Sequence, residues 1–507
     1  MSWFCARLVC LGVGGLSAAF LASLAICLVS VFLFTGNLLV SVYAILTIFL
    51  VVASFFSFLI CSVLSALARP NVILIMADDM GYEALSSNGS ESCKSPNLDK
   101  LAKGGIRFTN CFSNPICTPS RAKIMTGQYN VRNYVKFGML DRGQTTFAHQ
   151  LKAAGYATAI AGKWQLGKEK DAPQHFGFEK SCLWQHTRGG RSKKGGTTFD
   201  RRFVNPLLEF NGKEKEYTNG EYGPQVCTDF ICDFIDANKK KPFLVYYPMI
   251  LTHCPFDPTP DSTDWDPKRL GSTSYKGDQN DPQRHFVDMV AFADKAVGQI
   301  VAQLEKSGVR DNTLIIFTGD NGTDKPIVTP WNGTKVVGGK GSMTDTGTRV
   351  PLIASWPEGI KKPGRIVDDL VEFTDMLPTL CEVSGAALPK NHPADGASIV
   401  PVLQNKAETR KKDMIYIWYR GRVMVRDKKY SLVAKTDGSE ANLTRYKGPF
   451  DGTQLENSAL SKDERSIKEQ FEGTLARLAK TRLSGVSKQV RAKLEKPKKK
   501  PKKKGKQ

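Results

Sequence analysis

Short apolar runs alternate with amphipathic segments along most of this chain, and this alternation limits the possible folds more than any other feature. The apolar runs indicate buried strands, because runs of this length bounded by Gly, Pro, Asp or Asn are typical of strands covered on both faces. We predict strands at residues 71–77, 156–161, 243–250, 313–318 and 350–356, and helices at 96–103, 145–154, 224–237, 282–306 and 372–384. Such alternation predicts an α/β fold, with a mostly parallel sheet flanked by helices on both faces.

Carboxylates directly follow two of the predicted strands. Asp78 and Asp79 come after the first strand, and Asp320 and Asn321 come after the strand at 313–318. Sites in open α/β sheets form at the carboxyl ends of parallel strands, so these side chains are expected to converge. The carboxylates would repel one another unless a hard cation lies among them, and oxygen ligands of this kind suit calcium or magnesium.

A short helix is predicted in the sequence C-T-P-S-R-A-K-I-M-T-G, which runs from Cys117 to Gly127. Pro119 is expected at the first helical position and Gly127 just beyond the last one, the usual places for these residue types. Cys117 would then lie at or just before the helix N-terminus, where the helix dipole and free N–H groups favour negative charge. The alternative is a buried free cysteine without a chemical role.

Four further side chains could reach the same cleft. Arg121 lies within one helical turn of Cys117, and Lys163 stands at a strand end in A-G-K-W-Q-L-G. His253 follows the strand at 243–250, and Lys340 lies in the glycine-rich sequence G-G-K-G-S-M. Side chains of these types can hold a nucleophile, a carboxylate or an anionic substrate.

Taken together and in this order, the motifs resemble those of the sulfatase family over residues 71–403. The resemblance implies the alkaline-phosphatase-like fold with a small C-terminal α+β subdomain. It also implies that a formylglycine-generating enzyme converts Cys117 to formylglycine, whose hydrate is the nucleophile in sulfate ester hydrolysis. By position, calcium (or magnesium) would be bound by Asp78, Asp79, modified Cys117, Asp320 and Asn321. Contacts to the sulfate or to the nucleophile would come from Arg121, Lys163, His253 and Lys340.

One position departs from the family pattern. Gln165 stands in G-K-W-Q-L-G where most members have a histidine that hydrogen-bonds the formylglycine hydrate. Glutamine donates and accepts hydrogen bonds but does not take up a proton at neutral pH. We therefore expect Gln165 to orient the nucleophile, while any base assistance comes from another group or from water.

The first 69 residues differ in composition from the rest of the chain. Residues 8–68 are almost uncharged and apolar, and each half is long enough to cross roughly 30 Å of hydrocarbon as a helix. We predict two transmembrane helices in residues 1–69, a catalytic domain in 70–403, a small C-terminal subdomain in 404–485 and a Lys-rich disordered tail in 486–507. The protein is then membrane-anchored with an extracytoplasmic catalytic domain. A cleaved signal peptide followed by one anchor is the alternative.

The chain is strongly basic, with a formal net charge of +22, of which nine lysines and one glutamate from Lys493 onward contribute +8. A basic surface suits an anionic substrate or a membrane, and no nucleic-acid partner is expected. Residues 181–222 are rich in Gly, Lys and Arg, and we expect them to form an insertion over one edge of the sheet. They could face a sulfated glycan, although a sulfated small molecule is equally compatible with the motifs. The twelve cysteines lack C-x-x-C pairs, so no disulfide framework is evident.

Other functions stay open at this level. A phosphonate or phosphodiester hydrolase would use the same nucleophile and fold. A catalytically inactive, membrane-anchored anion-binding protein would explain Gln165 as a lost catalytic group, and a membrane adaptor with a polybasic tail would leave the central motifs unexplained. Sulfate ester hydrolysis is favoured because every other expected polar position is present.

Overall fold

The computed structural model describes residues 69–495, apart from 186–190, 195–196, 274–280, 391–393 and 407–411, and four isolated positions before residue 69. The two predicted transmembrane spans lie outside these described residues. Within them, no helix is both long and apolar enough to cross a membrane. Anchoring by residues 8–68 therefore stays a prediction from the apolar sequence.

The described residues contain nineteen strands. In chain order they are β1 (Asn71–Ala77), β2 (Ile106–Phe112), β3 (Ala157–Trp164), β4 (Lys180–Gln185), β5 (Arg191–Lys194), β6 (Thr197–Asp200), β7 (Leu207–Phe210), β8 (Lys213–Glu216), β9 (Phe243–Pro248), β10 (Thr313–Gly319), β11 (Val328–Trp331), β12 (Thr334–Val337), β13 (Arg349–Ser355), β14 (Arg365–Glu372), β15 (Ile415–Tyr419), β16 (Arg422–Arg426), β17 (Tyr430–Lys435), β18 (Asn442–Gly448) and β19 (Asp451–Gln454).

The α-helices in the same part of the chain are α1 (Pro96–Lys103), α2 (Cys117–Thr126), α3 (Asn130–Asn133), α4 (Phe147–Ala153), α5 (Ala172–His175), α6 (Gly223–Asn238), α7 (Pro282–Lys306), α8 (Asp345–Thr348), α9 (Met376–Ser384), α10 (Val400–Leu403), α11 (Lys462–Ala479) and α12 (Lys488–Glu495). The predicted helix at 372–384 is divided, because a 3₁₀ turn at Phe373–Asp375 precedes α9.

Ten strands form one large sheet in the order β14-β2-β13-β10-β1-β9-β3-β4-β7-β8. Five neighbouring pairs are parallel, including the continuous block from β10 to β4, and four pairs are antiparallel. The sheet is thus mixed, where the sequence predicted a mostly parallel one. The chain between β10 and β13 contains the β11–β12 hairpin and the short α8 instead of a long crossover helix, so β13 returns antiparallel to β10.

The large sheet is covered on both faces. Alternate residues of β1 enter different hydrophobic cores, with Ile73 and Ile75 on one side and Val72 and Leu74 on the other. The first core includes apolar side chains of α1, α6 and α7, and the second includes those of α2, α4 and α9. Two covered faces explain why the strands are apolar throughout, as the α/β prediction requires.

Strands β15 to β19 form a separate antiparallel sheet in chain order. Helix α11 packs on it, with Phe471 and Leu475 in the same core as Leu432. A further small core joins the two sheets, because Phe112 and Leu370 of the large sheet pack with Ile417 of β15. The small α+β subdomain at the C-terminal end agrees with the fold class inferred from the sequence.

Two regions differ from their description by sequence. Residues 181–222 showed no periodicity in the sequence but contain regular strands. Strands β7 and β8 extend the large sheet beyond β4, and β5 and β6 form a separate hairpin. The range 486–507, predicted as a disordered tail, begins with α12, in which Arg491 N–H donates to the Ser487 carbonyl oxygen at 3.0 Å. The Lys/Pro-rich residues 496–507 lie outside the described part of the chain.

Candidate active site

The carboxyl ends of four adjacent parallel strands, β10, β1, β9 and β3, bring most of the predicted site residues to one edge of the sheet. Asp78 and Asp79 directly follow β1, and Asp320 and Asn321 directly follow β10. Lys163 is the penultimate residue of β3, and His253 lies five residues beyond β9. Edges of this kind are where parallel α/β sheets place their ligands.

Helix α2 places Cys117 beside these strand ends. The helix begins at Cys117 itself, so Pro119 is its third residue and not its first, as the sequence had suggested. It ends at Gly127, whose φ of 65° is left-handed and whose N–H donates to the Lys123 carbonyl oxygen. Every residue of α2 is buried, and the Cys117 side chain has almost no exposure to solvent.

Two cations are paired with the carboxylates that surround Cys117. The Lys163 Nζ donates to Asp78 Oδ2 at 2.6 Å, and both side chains are fully buried. An Arg121 terminal nitrogen lies 3.0 Å from Asp320 Oδ2 and 3.4 Å from Asp78 Oδ1. Oxygens of Asp78 and Asp320 and the Cys117 sulfur all lie within 4.8 Å of one another. Arg121 therefore contacts the carboxylates, one of the two roles open to it from the sequence.

Asp79 is the centre of a second group of contacts. Its Oδ1 accepts from Asn321 Nδ2 at 2.8 Å, and its Oδ2 contacts the Lys340 ammonium and lies 3.6 Å from His253 Nε2. The Lys340 Nζ lies 3.2 Å from His253 Nε2. The Asp79 N–H donates to Asp320 Oδ1 at 3.0 Å, which joins this group to the carboxylates around Cys117.

Close strand packing brings Lys163 to this position. Gly162 precedes it with φ of 111°, and a Cβ on Gly162 would lie 2.0 Å from the Pro248 carbonyl oxygen of β9. Only glycine allows β3 to approach β9 so closely here. Gln165 is buried two residues beyond Lys163, directly after the end of β3.

Burial and charge shift the pKa values of the site in different directions. Burial, reinforced by the charge of Asp78, raises the pKa of Asp320 to about 8, although Arg121 acts against the shift. Burial would also raise the pKa of Asp78, but the charges of Lys163 and Arg121 outweigh it and hold this pKa well below its usual range. Burial and the Lys340 charge lower the pKa of His253 well below its ordinary value, so the imidazole is neutral. Burial raises the pKa of the Cys117 thiol.

The donor set fits a hard divalent cation. Asp78 Oδ1 and Asn321 Oδ1 are buried and accept no hydrogen bond, although buried carboxylate and amide oxygens are nearly always satisfied. A cation coordinated by these oxygens would supply the missing partner. The Cys117 thiol is a soft ligand and a poor match to such an ion, whereas an oxygen at the same position would match it.

The structure adds an arginine that the sequence analysis missed. Arg202 is buried, its guanidinium donates to the Cys254 carbonyl oxygen at 2.9 Å, and one of its nitrogens lies 3.1 Å from His253 Nδ1. The guanidinium forms an ion pair with Asp200 at 2.6 Å and lies over the Trp184 ring, 4.0 Å from its centroid. Arg202 holds the segment that carries His253. No local motif marked it, because it lies in the aperiodic residues 181–222.

Comparison with known proteins agrees with this geometry. Residues 70–386 match the family model for sulfatases, and residues 338–481 match the model for the C-terminal region of N-sulphoglucosamine sulphohydrolase. Arylsulfatase A of Homo sapiens is 33% identical over 411 residues, which cover 74% of this chain and 76% of the relative. Arylsulfatase A of Bos taurus is 32% identical over 416 residues, which cover 74% and 77%.

Solved structures share the fold. The crystal structure of Ps i-CgsB superposes with a TM-score of 0.67 at 25% identity, covering 84% of this chain and 96% of that one. The phosphonate monoester hydrolase of Agrobacterium radiobacter gives a TM-score of 0.61 at 21% identity, covering 82% and 96%, and shows the same fold alone. With the family model matched over most of the chain and the strand-end carboxylates gathered around Cys117, this chain belongs to the sulfatase family and is a sulfuric ester hydrolase.

Proposed function

We propose that this protein hydrolyses a sulfate ester with a formylglycine derived from Cys117 and with a bound divalent cation, calcium or magnesium. The observation that carries the proposal is the position of Cys117, a buried sulfur within 4.8 Å of oxygens of Asp78 and Asp320. A thiol cannot complete a hard-cation site there, whereas an aldehyde hydrate would provide an oxygen ligand and a nucleophilic hydroxyl.

Asp78, Asp79, Asp320 and Asn321 would bind the cation, which when present would favour the ionised form of the nucleophile and polarise the ester. Arg121 stabilises the negative charge that these carboxylates bring together, because its guanidinium contacts two of them. The Asn321 amide is oriented by its donation to Asp79, which leaves its Oδ1 available as a ligand.

The charges of the site favour an anionic substrate. The contacts join three carboxylates (Asp78, Asp79 and Asp320) with three cations (Arg121, Lys163 and Lys340). A divalent ion bound here would keep all three carboxylates ionised, and the six side chains together with the ion would carry a net charge of +2, which attracts a sulfate ester. Lys163 and Lys340 are the groups that could move from their carboxylates to the sulfate oxygens.

Proton delivery to the departing alcohol is assigned to His253 or Lys340. Their nitrogens are 3.2 Å apart, so the Lys340 ammonium, which has slight exposure to solvent, can deliver a proton directly or through the neutral His253 imidazole. Gln165 would orient the nucleophile by hydrogen bonding.

The substrate is proposed to be a sulfated small molecule or glycan, and the catalytic part is proposed to face an extracytoplasmic compartment, anchored by the apolar residues 8–68. A formylglycine-generating enzyme is the partner that this chemistry requires. The glycan reading is supported by the basic residues of the insertion at 181–222.

The test is peptide mass spectrometry across Cys117 combined with turnover of 4-nitrophenyl sulfate, on protein made in a host that carries the modifying enzyme. We expect a mass loss of about 18 Da relative to cysteine, together with release of 4-nitrophenol. Cys117→Ala is the control and should show neither. An intact thiol in active protein would contradict the formylglycine. Faster turnover of a matched phosphonate or phosphodiester than of the sulfate would contradict the proposed substrate class.

A further inference from the structure

The turn between β15 and β16 brings side chains of the C-terminal subdomain close to Cys117. Asn114, three residues before Cys117, donates from Nδ2 to the Trp418 carbonyl oxygen at 3.0 Å. Tyr419 follows Trp418 as the last residue of β15, and Arg420 begins the turn. The backbone of this turn is therefore fixed to the segment that leads into α2.

A second contact places the Tyr419 ring beside the start of α2. The rings of Tyr419 and Tyr134 lie 6.3 Å apart with an edge-to-face angle of 70°. Gly138, which follows Tyr134 in the same loop, donates from its N–H to the Thr118 hydroxyl at 3.1 Å. Burial raises the pKa of both phenols.

The Tyr419 hydroxyl has no hydrogen-bond partner. The residue is only 6% exposed, and among the described residues nothing accepts from or donates to its hydroxyl. An unsatisfied buried hydroxyl lowers stability, since its hydration is lost without compensation. A ligand bound next to Cys117 could provide the missing hydrogen-bond partner of the Tyr419 hydroxyl.

Arg420 has a left-handed backbone conformation, which is more favourable for glycine, asparagine or aspartate. Its φ is 45° and that of Gly421 is 77°, as in the two-residue hairpin turn where Asn, Asp or Gly are preferred at both positions. The exposed guanidinium lies over the Tyr419 ring at 5.2 Å. In the described part of the chain no carboxylate lies within ion-pair distance of it, so its charge is available to a ligand.

We propose that Tyr419 and Arg420 form a subsite for a second anionic group, so that the substrates are sulfate esters that carry another sulfate or carboxylate near the one that is cleaved. The inference deepens the proposed function and rests on it, because it assumes that the reacting ester binds at Cys117. The Tyr419 hydroxyl donates to the second anion, and the guanidinium, held on the ring, forms the ion pair.

The test measures binding, so it does not depend on turnover. A Cys117→Ala parent is titrated calorimetrically with N-acetyl-D-glucosamine 6-O-sulfate and with D-glucosamine 2-N,6-O-disulfate, which differ by one anionic group. We expect the disulfated sugar to bind roughly threefold to tenfold more tightly. Arg420→Asn should remove this preference, by weakening the binding of the disulfated sugar towards that of the monosulfate. Asparagine tolerates positive φ, so this variant should keep the melting temperature of its parent.

Tyr419→Phe removes only the unsatisfied hydroxyl. We expect it to weaken binding of the disulfated sugar without lowering the melting temperature, a combination that a purely structural tyrosine would not give. Arg422→Asn is the matched control, because Arg422 is an exposed arginine of the same hairpin that pairs with Glu440. Equal affinities in the parent, no binding of either sugar, or a preference that survives Arg420→Asn would overturn the proposal. Absence of formylglycine or of turnover would instead count against the proposed function alone.

Discussion

At the scale of single residues, the site is defined by buried oxygens that accept no hydrogen bond from the protein. Asp78 Oδ1 and Asn321 Oδ1 are buried and accept no hydrogen bond, although the Arg121 guanidinium lies 3.4 Å from Asp78 Oδ1. Leaving such groups unpaired is costly, about 1–3 kcal/mol each. A divalent cation would satisfy both oxygens at once, and this is the argument for the proposed metal.

Replacing Asp79 by Asn tests this metal site with little change to the backbone. Asp79 has φ of 59°, a conformation that asparagine also accepts, and the two side chains have the same shape. We expect Asp79→Asn to lower the affinity for calcium by about 100-fold or more, because one anionic ligand is lost. The measurement is calorimetric titration of chelator-treated protein.

Asp324→Asn is the control for that experiment. Asp324 lies 3.9 Å from the Lys340 ammonium and is partly exposed. Its replacement by asparagine therefore removes a neighbouring charge without removing a proposed ligand. It should bind calcium nearly as the unmodified chain does. Full calcium affinity in Asp79→Asn would contradict the assignment.

At the scale of elements, helix α2 is attached to its neighbours by a buried network of charged side chains that includes Lys123. Lys123 contacts Glu372 and donates to the Tyr416 carbonyl oxygen at 2.8 Å, which connects α2 with β14 and β15. Lys412 lies 2.8 Å from Glu372 and 2.7 Å from Asp375. The helix that carries Cys117 thus depends on two sheets for its position.

We expect Lys123→Met to lower the free energy of unfolding by about 3–5 kcal/mol, because it leaves one carboxylate of this network uncompensated. The double variant Lys123→Met with Glu372→Gln should recover part of the loss, since Lys412 and Asp375 then remain as a balanced pair. Urea titration followed by circular dichroism measures both. A loss below about 1 kcal/mol for Lys123→Met would show that the network does not support the helix.

At the scale of the whole molecule, the ten-stranded and the five-stranded sheets share buried contacts, so we expect them to unfold together. The described residues from Arg69 onward belong to one compact unit. The buried Arg426 of β16 contacts Asp345 of α8, and Phe112 packs with Ile417 across the join. A substitution in the smaller core is therefore expected to affect the larger one.

Leu432→Ala tests this coupling. Leu432 is fully buried in the core of the C-terminal subdomain, and its truncation should cost about 2–5 kcal/mol. We expect a single calorimetric transition, shifted as a whole to lower temperature. Amide hydrogen exchange should accelerate by the same factor in β1 as in the C-terminal subdomain. A second, earlier transition confined to the subdomain would show that the two parts unfold independently.

Several elements could be predicted because their signals are local. Helices α1 and α7 have the predicted bounds, since each has proline at its start and a glycine shortly after its end. Strand β1 also has its predicted bounds, and the carboxylates after it lie where the rule for parallel sheets places them. The strand at 350–356 was predicted, but the antiparallel direction of β13 was not, because strand direction depends on the path of the connection and not on the strand's own residues.

The sequence by itself determined which side chains stand at strand ends and helix ends: Asp78, Asp79, Cys117, Asp320 and Asn321 are fixed there by periodicity and by capping residues a few positions away. Only the tertiary structure decided that Arg202 supports the His253 segment and that the hairpin carrying Tyr419 and Arg420 is hydrogen-bonded to the segment that leads into α2. Those contacts join residues far apart in the chain, through an aperiodic insertion and a hairpin of another sheet. No local pattern records such contacts, because packing between distant segments creates them.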